Sequence, residues 1–229
     1  MTLAPQEFWQ QIYPPGTWPG DDAAGYQGLY PARLPDGRQI AFPIRTLPGD
    51  GTRGVASLIV NQAAFAVVDA LADVLAARLA PHAPQVVVGL PTLGLGLAEA
   101  VARRLGHARM VPMGTSRKFW YDEALSEPLA SITTPGFGKR LYLDPRMLPV
   151  LAGQRVALVD DVASSGSTLR AALAVLGKAA VAPVACGFAM LQGRLWATAV
   201  PPGLPVEGAV ATPRLRLGPD ARWRPDPDA

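Results

Sequence analysis

Residues 156–168 read VALVDDVASSGST, and this segment gives the strongest indication of the fold. Its first four residues are an unbroken apolar run, which predicts a strand that is buried on both faces of a parallel sheet. Asp160 and Asp161 follow directly, so both carboxylates are expected at the carboxyl end of the strand, where open α/β sheets bind ligands. Small residues and Gly166 then lead into a predicted helix.

The segment from Ala163 to Thr168 has the composition of an anion-binding loop. Such a loop can turn several backbone N–H groups and hydroxyls toward one anion, and the dipole of the following helix adds to the attraction. The two carboxylates would repel that anion, so they are expected to face a divalent cation or a group rich in hydroxyls. A ribose 5-phosphate satisfies both halves. The alternative is that Asp161 or Ser164 merely caps the helix, a role that needs one such residue rather than six.

The whole stretch resembles the signature of the type I phosphoribosyltransferases, which consists of four hydrophobic residues, two acids and a small, Thr/Ser-rich loop. The resemblance implies an α/β fold: a parallel, helix-covered sheet with a small variable hood. It also implies a site for phosphoribosyl diphosphate (PRPP), in which Asp160 and Asp161 bind the ribose 2′ and 3′ hydroxyls and Mg²⁺. The 5′-phosphate would then be bound by the loop residues Ala163, Ser164, Ser165, Gly166, Ser167 and Thr168.

A second strand and turn lie upstream. Residues 85–90 form another apolar run, and a glycine-bearing turn follows at 91–96. Judged by its residues alone, this turn can be either a ligand-binding turn or an ordinary connection between a strand and a helix. The resemblance implies that its backbone amides bind the pyrophosphate of PRPP, which carries over to Thr92, Leu93 and Gly94. Many members of the family hold a non-proline cis peptide here, for which Leu93 is the candidate.

A long polar insertion occupies residues 114–140. Arg117 and Lys118 stand near its start, and Lys139 and Arg140 stand at its end. The resemblance implies a flexible catalytic loop, whose cations stabilise the charge that grows on pyrophosphate as it leaves. The alternative is a solvated surface loop with extended basic side chains. Because Arg117 and Lys118 follow a predicted strand directly, they are the stronger candidates.

The reaction implied by the resemblance is displacement at the anomeric carbon of PRPP, with pyrophosphate leaving and a base nitrogen attacking. Such an enzyme is a pentosyltransferase, and its base would be recognised by a hood formed from residues 26–56 and 191–217. Aromatic rings there can stack on a planar base, and Tyr30, Phe42 and Trp196 are the candidates.

A purine is the favoured base. The likeness, which covers roughly residues 57–190, is greatest for adenine phosphoribosyltransferases and related purine enzymes. One departure concerns the segment after the flexible loop, where adenine enzymes carry a glutamate near the base. The corresponding residues 131–135 read SITTP and contain no acid. Asp122, Glu123 or Glu127 could substitute, although the favoured interpretation of all three is that they are solvated loop acids.

The repeated order of strand, turn and helix predicts right-handed crossovers between parallel strands. Residues 57–190 are the expected PRPP-binding core, which begins with a helix over 57–79. Residues 1–56 and 191–229 are the expected hood and terminal extensions of one compact domain. A hairpin is predicted at 35–37, and the helix that starts near Ser167 is expected to stop at Gly177.

The composition argues against some classes of partner and location. The 229 residues include 21 Lys and Arg against 18 Asp and Glu, and the resulting net charge of +3 is too small to indicate general nucleic-acid binding. The most apolar stretch is interrupted by charges, so no membrane span is expected. The single cysteine, Cys186, indicates a reducing cytoplasm. His82 and His107 are expected at the surface, and the arginines of residues 214–224 in a loosely ordered tail.

Two other functions stay open at this stage. One is a PRPP-sensing regulatory protein of the same fold that lacks transferase turnover. The other is a related enzyme that uses PRPP or hydrolyses a ribose phosphate. The cations of the insertion favour transfer, because a sensor would not need them. The family resemblance also implies a homodimer.

Overall fold

The computed structural model describes residues 3–20, 22–129 and 139–226. The strands and helices alternate through the middle of the chain, as the sequence predicts. In chain order they are β1 (Leu29–Arg33), β2 (Gln39–Thr46), β3 (Arg53–Ala56), α1 (Phe65–Leu79), β4 (Val86–Gly89), α2 (Gly94–Arg104), β5 (Val111–Pro112), β6 (Ser126–Pro128), β7 (Arg140–Tyr142), α3 (Leu148–Leu151), β8 (Val156–Ala163), α4 (Ser167–Lys178), β9 (Pro183–Gln192), β10 (Val206–Thr212), β11 (Arg214–Leu217) and β12 (Trp223–Pro225).

A five-stranded sheet carries the site. Its strand order is β10-β9-β8-β4-β5, and every neighbouring pair is parallel. Side chains alternate between two apolar layers, because successive residues of a strand point to opposite faces. One layer packs on α1 and α2, and the other packs on α3 and α4. The predicted α/β fold, a helix-covered parallel sheet, is confirmed.

A second sheet joins the two ends of the chain. Its order is β1-β2-β3-β11-β12, with antiparallel pairing throughout, and the predicted hairpin at 35–37 connects β1 to β2. The expectation of a loosely ordered tail is wrong, since β11 and β12 pair with each other. Ion pairs hold their arginines, with Arg216 3.0 Å from Asp226 and Arg224 2.7 Å from Asp220.

Two helix boundaries differ from the prediction. The first helix begins at Phe65 rather than at 57, because Val60–Gln62 form a 3₁₀ turn and Ala63 and Ala64 are extended. The fourth helix continues through Gly177 to Lys178, so Gly177 is not its stop. A glycine costs about 1 kcal/mol in a helix interior, which the packing of α4 on the sheet can offset.

Strand lengths also differ. The middle strand β8 extends through both aspartates to Ala163, whereas β5 has only two residues. The insertion is not a loop throughout, because β6 lies within it and pairs antiparallel with β7, which begins at its last residue. The segment 131–135, which replaces the glutamate segment of adenine enzymes, lies outside the described residues.

Neither histidine is a free surface residue. The Nε2 atom of His82 lies 3.2 Å from Glu207 Oε1, so β10 partly covers its ring. His107 Nε2 lies 2.9 Å from the Pro84 carbonyl oxygen, and its Nδ1 is buried with no hydrogen-bond partner in the described part of the chain. The single cysteine, Cys186, is fully buried in the sheet. Within residues 3–20, 22–129 and 139–226, no helix is long and apolar enough to cross a membrane.

Candidate active site at the carboxyl edge of the parallel sheet

Two adjacent carboxylates lie near the carboxyl end of β8, the middle strand of the sheet. Asp160 is only 5% exposed, and Asp161 is half-buried. The Asp161 backbone N–H donates to Asp160 Oδ1 at 2.9 Å. Burial raises the pKa of both carboxyls, and the neighbouring charge of Asp161 raises that of Asp160 further. No ion pair with a lysine or arginine of the described chain offsets this cost.

The segment that follows the aspartates is built as a small cup. Gly166 adopts φ +79°, and a Cβ there would lie 2.8 Å from Ala199 Cβ, so both the conformation and the space require glycine. Ser167 begins α4 immediately afterward, and its hydroxyl lies 3.1 Å from that of Ser165. The cup encloses about 130 Å³ and is lined by Asp160, residues 162–169 and Phe188.

All six predicted loop residues therefore line one cavity together with Asp160. The boundary of the loop needs one correction. Ala163 is the last residue of β8, where it pairs with Leu191, so the irregular part of the loop is residues 164–166. The cavity has room for one phosphate group, and its floor is the N-terminal turn of a helix, where anions bind favourably.

The turn after β4 packs directly against the aspartates. A Cβ added at Gly94 would lie 2.4 Å from Asp160 Oδ1 and 2.8 Å from the Asp160 Cα atom. Only glycine lets the two segments approach this closely. The turn contains a cis peptide bond between Pro91 and Thr92, so the prediction for Leu93 is wrong. Leu93 already has helical angles, φ −75° and ψ −30°, because α2 begins at the next residue.

The cations of the insertion are placed differently. Arg117 Nε lies 3.1 Å from Glu123, and Arg140 Nε lies 3.4 Å from the same carboxylate. Arg140 also donates two hydrogen bonds, at 2.8 and 3.0 Å, to the Ser126 hydroxyl. Lys118 and Lys139 are exposed. The structure thus brings Arg117 and Arg140 together at Glu123. Among the described residues, no hydrogen bond or ion pair joins the four cations to the aspartates.

Two residues of the site were missed by sequence reasoning. Gln192, at the end of β9, accepts a hydrogen bond from the Ser164 hydroxyl at 3.0 Å. Glu123 holds two of the four predicted cations, although it was considered only as a possible base ligand. Neither residue lies within a local motif. Gln192 is 28 residues from Ser164, so only knowledge of the sheet pairing could have placed them together.

The three candidates for base stacking lie in different surroundings. Phe42 is fully buried in the core, so its ring is not available to a base. Tyr30 packs on Tyr26, with ring centroids 4.9 Å apart. Trp196 is half-buried, and its backbone lies beside Gly166. It borders a second, larger cavity of about 620 Å³, whose other lining residues are Leu191, Gly193, Arg194, Ala211, Thr212, Pro213 and Asp226.

The aspartate pair limits how a cation can bind. In residues 3–20, 22–129 and 139–226, no group of three or more His, Cys, Asp or Glu side chains is arranged to hold a metal ion. A cation at Asp160 and Asp161 would therefore take its remaining ligands from water and from the substrate. Mg²⁺ is usually bound in this way, by one or two carboxylates and by phosphate oxygens. The residues present fit that ion.

The parallel sheet, the aspartate pair and the anion cup at its carboxyl edge together define an α/β protein of the phosphoribosyltransferase class. A comparison with protein-family models supports this conclusion, because the phosphoribosyl transferase domain matches residues 55–197. The chain belongs to this family and is a glycosyltransferase-type enzyme. The resemblance inferred from residues 156–168 is confirmed.

Individual relatives are more distant. Bifunctional protein PyrR from Pseudomonas aeruginosa is 33% identical over 139 residues, which are 59% of this chain and 70% of that protein. The corresponding protein from Pseudomonas syringae is 30% identical over the same length. The adenine phosphoribosyltransferase from Thermoanaerobacter pseudethanolicus is 19% identical with a TM-score of 0.55, and covers 65% of this chain and 82% of its own.

Another similar structure is the APRTase from Giardia lamblia, solved in complex with 9-deazaadenine. It is 21% identical, with a TM-score of 0.57, and covers 74% of this chain and 93% of its own. At these identities the likeness to solved structures concerns the fold alone.

Proposed function

We propose that this protein transfers the 5-phosphoribosyl group of PRPP to a nucleobase, preferably a purine, and releases pyrophosphate. The observation that carries this proposal is the pairing of a buried, uncompensated aspartate pair with a hydroxyl-lined cup at a helix N-terminus. The cup suits the 5′-phosphate, and the carboxylates suit the ribose 2′ and 3′ hydroxyls beside it.

The turn at Thr92–Gly94 would bind the pyrophosphate through backbone N–H groups. Its position supports this role, because Gly94 packs against Asp160 and therefore lies next to the proposed ribose site. In PRPP the pyrophosphate is attached to the anomeric carbon of the same ribose. The three parts of the substrate would thus meet three adjacent segments of the chain, with Asp160 between the cup and the turn.

Asp160 and Asp161 would also hold Mg²⁺, whose charge would make pyrophosphate a better leaving group. The two carboxylates themselves need such a partner. Burial makes their ionised form unfavourable, and a nearby cation or a set of hydroxyl donors restores part of the lost solvation. The same groups would orient the ribose, so that the anomeric carbon faces the incoming base.

Four cations would act on the leaving group: Arg117, Lys118, Lys139 and Arg140. As the glycosidic bond breaks, negative charge grows on the pyrophosphate oxygens, and positioned cations lower the energy of that state. Arg117 and Arg140 would exchange Glu123 for the substrate. Because exposed ion pairs contribute only about 0–1 kcal/mol, this exchange costs little.

The preference for a purine rests on two observations. Similar solved structures include adenine phosphoribosyltransferases, although the likeness concerns the fold. The cavity of about 620 Å³ beside the cup has an indole side chain and polar groups in its wall, which suits a planar heterocycle. The terminal segments 1–56 and 191–229 would form the hood around this base, and residues 57–190 would carry the PRPP site.

A screen of six bases tests the proposal. Purified protein is mixed with PRPP, Mg²⁺ and adenine, hypoxanthine, guanine, xanthine, orotate or uracil, and released pyrophosphate is measured. We expect release with at least one purine. Release only with orotate or uracil would retain the transferase and replace the purine assignment. Binding of PRPP without release for any base would overturn the proposed transfer for these substrates.

The PRPP-sensing alternative has two observations in its favour. The PyrR relatives of this chain are named bifunctional, which indicates a second role in those proteins. In this chain, two of the four cations are already paired with Glu123, as a protein without turnover would permit. Tight PRPP binding with no pyrophosphate release, together with binding of nucleic acid, would support the sensor. We propose instead a cytoplasmic homodimer that binds no nucleic acid.

A further inference from the structure

Gln192 forms a bridge between the cup and the second sheet. It is the last residue of β9 and is only 7% exposed. Its Oε1 atom accepts a hydrogen bond from the Ser164 hydroxyl at 3.0 Å. Its Nε2 atom donates to the Ala56 carbonyl oxygen at 2.8 Å, and Ala56 is the last residue of β3. One carboxamide therefore contacts both the anion cup and the sheet built from the chain ends.

The chemistry of the partners fixes the orientation of the carboxamide. The Ala56 carbonyl can only accept a hydrogen bond, so the amide nitrogen of Gln192 must face it. The amide oxygen then faces Ser164, whose hydroxyl hydrogen is committed to this bond. The Ser164 hydroxyl hydrogen is therefore not available to a ligand, whereas Ser165, Ser167 and Thr168 also line the cup and carry hydroxyls.

We propose that Gln192 is a positioning residue for the 5′-phosphate of the substrate, an inference that rests on the proposed function. It holds Ser164, and through Ser164 the backbone of the cup, at a fixed distance from the end of β3. A buried hydrogen-bonded side chain defines such a distance well, because leaving either partner unpaired costs free energy. The cup would therefore be shaped before the ligand arrives.

The first test is the binding of ribose 5-phosphate, measured by calorimetry. Gln192→Met keeps the length of the side chain and removes both hydrogen bonds. We expect about tenfold weaker binding, since one net hydrogen bond is worth roughly tenfold in an equilibrium constant. The same substitution in Ser164→Ala protein should weaken binding much less, because Gln192 acts through the Ser164 hydroxyl. Equal losses in the two backgrounds would overturn the proposal.

A matched control separates positioning from stability. Gln39 is also buried, at 1% exposed, and its carboxamide bridges the backbone N–H and carbonyl of Trp18 at 2.9 Å each. Gln39→Met removes an equivalent pair of hydrogen bonds away from the cup. We expect it to lower Tm as much as Gln192→Met does, but to leave the affinity for ribose 5-phosphate within about twofold of the wild type. Parallel losses of affinity would overturn the proposal.

A second variant gives a pH dependence that a loss of side-chain packing would not produce. In Gln192→Glu, the ionised carboxylate would face the Ala56 carbonyl and repel it, whereas the protonated carboxyl can donate to Ala56 and accept from Ser164. Binding of ribose 5-phosphate, relative to the wild type at each pH, should therefore recover as pH falls through the pKa of the new carboxyl. A constant ratio between the two proteins would overturn the proposal.

Failure of the proposed function gives a different result. If the wild-type protein binds neither PRPP nor ribose 5-phosphate, then the assignment of the cup is overturned, and the role of Gln192 is overturned with it. If the wild type binds both and the Gln192 variants bind equally well, only the positioning role is overturned and the transferase assignment stands.

Discussion

Two regions carry the residues proposed to act on PRPP, and they differ in how their charges are satisfied. In residues 160–168, Asp160 is buried, its pKa is raised, and no ion pair with a described lysine or arginine balances it. In the insertion, Arg117 and Arg140 are exposed to partly exposed, and both are paired with Glu123. The first region therefore lacks a counter-charge, which a bound substrate and its cation could provide. In the second region, Glu123 already provides the counter-charge.

The difference shows what each region contributes to function. Buried charges without an internal counter-charge cost free energy, and folds retain them chiefly at functional sites. Their geometry is set by the backbone, from β8 through Gly166 to the start of α4, so it exists before a ligand arrives. Exposed ion pairs exchange partners at little cost. We therefore propose that the first region binds the substrate and that the second rearranges during the reaction.

The largest expected effect comes from neutralising the aspartates. Asp160→Asn combined with Asp161→Asn should abolish Mg²⁺-dependent PRPP binding, a loss of more than about a hundredfold, since each hydrogen bond to a charged group is worth about 1.5–3 kcal/mol. Calorimetric titration with PRPP measures this. Unchanged affinity would show that these aspartates do not bind the ribose. The proposed difference in function between the two regions would then be wrong.

The same variant should be more stable than the wild type, which guards against misfolding as the explanation. Burial raises the pKa of both carboxyls above the ordinary value of 3.8. Such groups bind more protons in the folded state, so the wild type loses stability as pH rises from about that value through the raised pKa values. The amides carry no such cost. A higher Tm at neutral pH together with lost binding is the expected combination.

The next effect probes how closely the turn after β4 approaches Asp160. Gly94→Ala places a methyl group against Asp160, and overpacking of this kind costs about 1–3 kcal/mol. We expect roughly tenfold to a hundredfold weaker PRPP binding. Gly96→Ala is the matched control, since a Cβ there meets open space in the same helix. If the two alanines behave alike, the contact between the turn and Asp160 has no role in binding.

The aspartate pair and the cup could be predicted from sequence because their residues, 156–168, are contiguous. An apolar run, two acids and a glycine before a helix specify β8, the cup and α4 through local rules alone. The structure changed only details, such as the extension of β8 to Ala163. The cis peptide lies at Pro91–Thr92 rather than at Leu93, a position for which the sequence carries no local signal.

The remaining features depend on pairing between distant residues. The bridge from Ser164 through Gln192 to Ala56 spans three segments that only the sheet topology brings together. The C-terminal segment forms strands because β11 pairs with β3, which precedes it by more than 150 residues. The role of Glu123 was hidden for the same reason, since two arginines from opposite ends of the insertion converge on it.

A smaller effect is expected from a change in the insertion alone. Lys118 is exposed and directly follows Arg117. If it acts on the leaving group, Lys118→Ala should lower kcat about tenfold, with little change in the affinity for PRPP, because an interaction made only in the transition state does not stabilise the bound substrate. Arg103→Ala removes an exposed cation that is paired with Glu99 on α2 and should change neither quantity. An equal loss of kcat and affinity would make Lys118 a binding residue, like those of the cup.

The smallest effect tests whether the insertion is restrained by its own ion pairs. Glu123→Gln removes the charge that holds Arg117 and Arg140, and should raise PRPP affinity by about two- to threefold, the range expected for exposed pairs. Asp122→Asn is the control, because it removes one charge from the neighbouring position and keeps the acceptor for the Ala124 amide. An increase confined to Glu123→Gln, and abolished by high salt, would show that Glu123 competes with pyrophosphate. Equal increases in both variants would indicate only a general change of charge, and the arginines would then not be the groups that the substrate recruits.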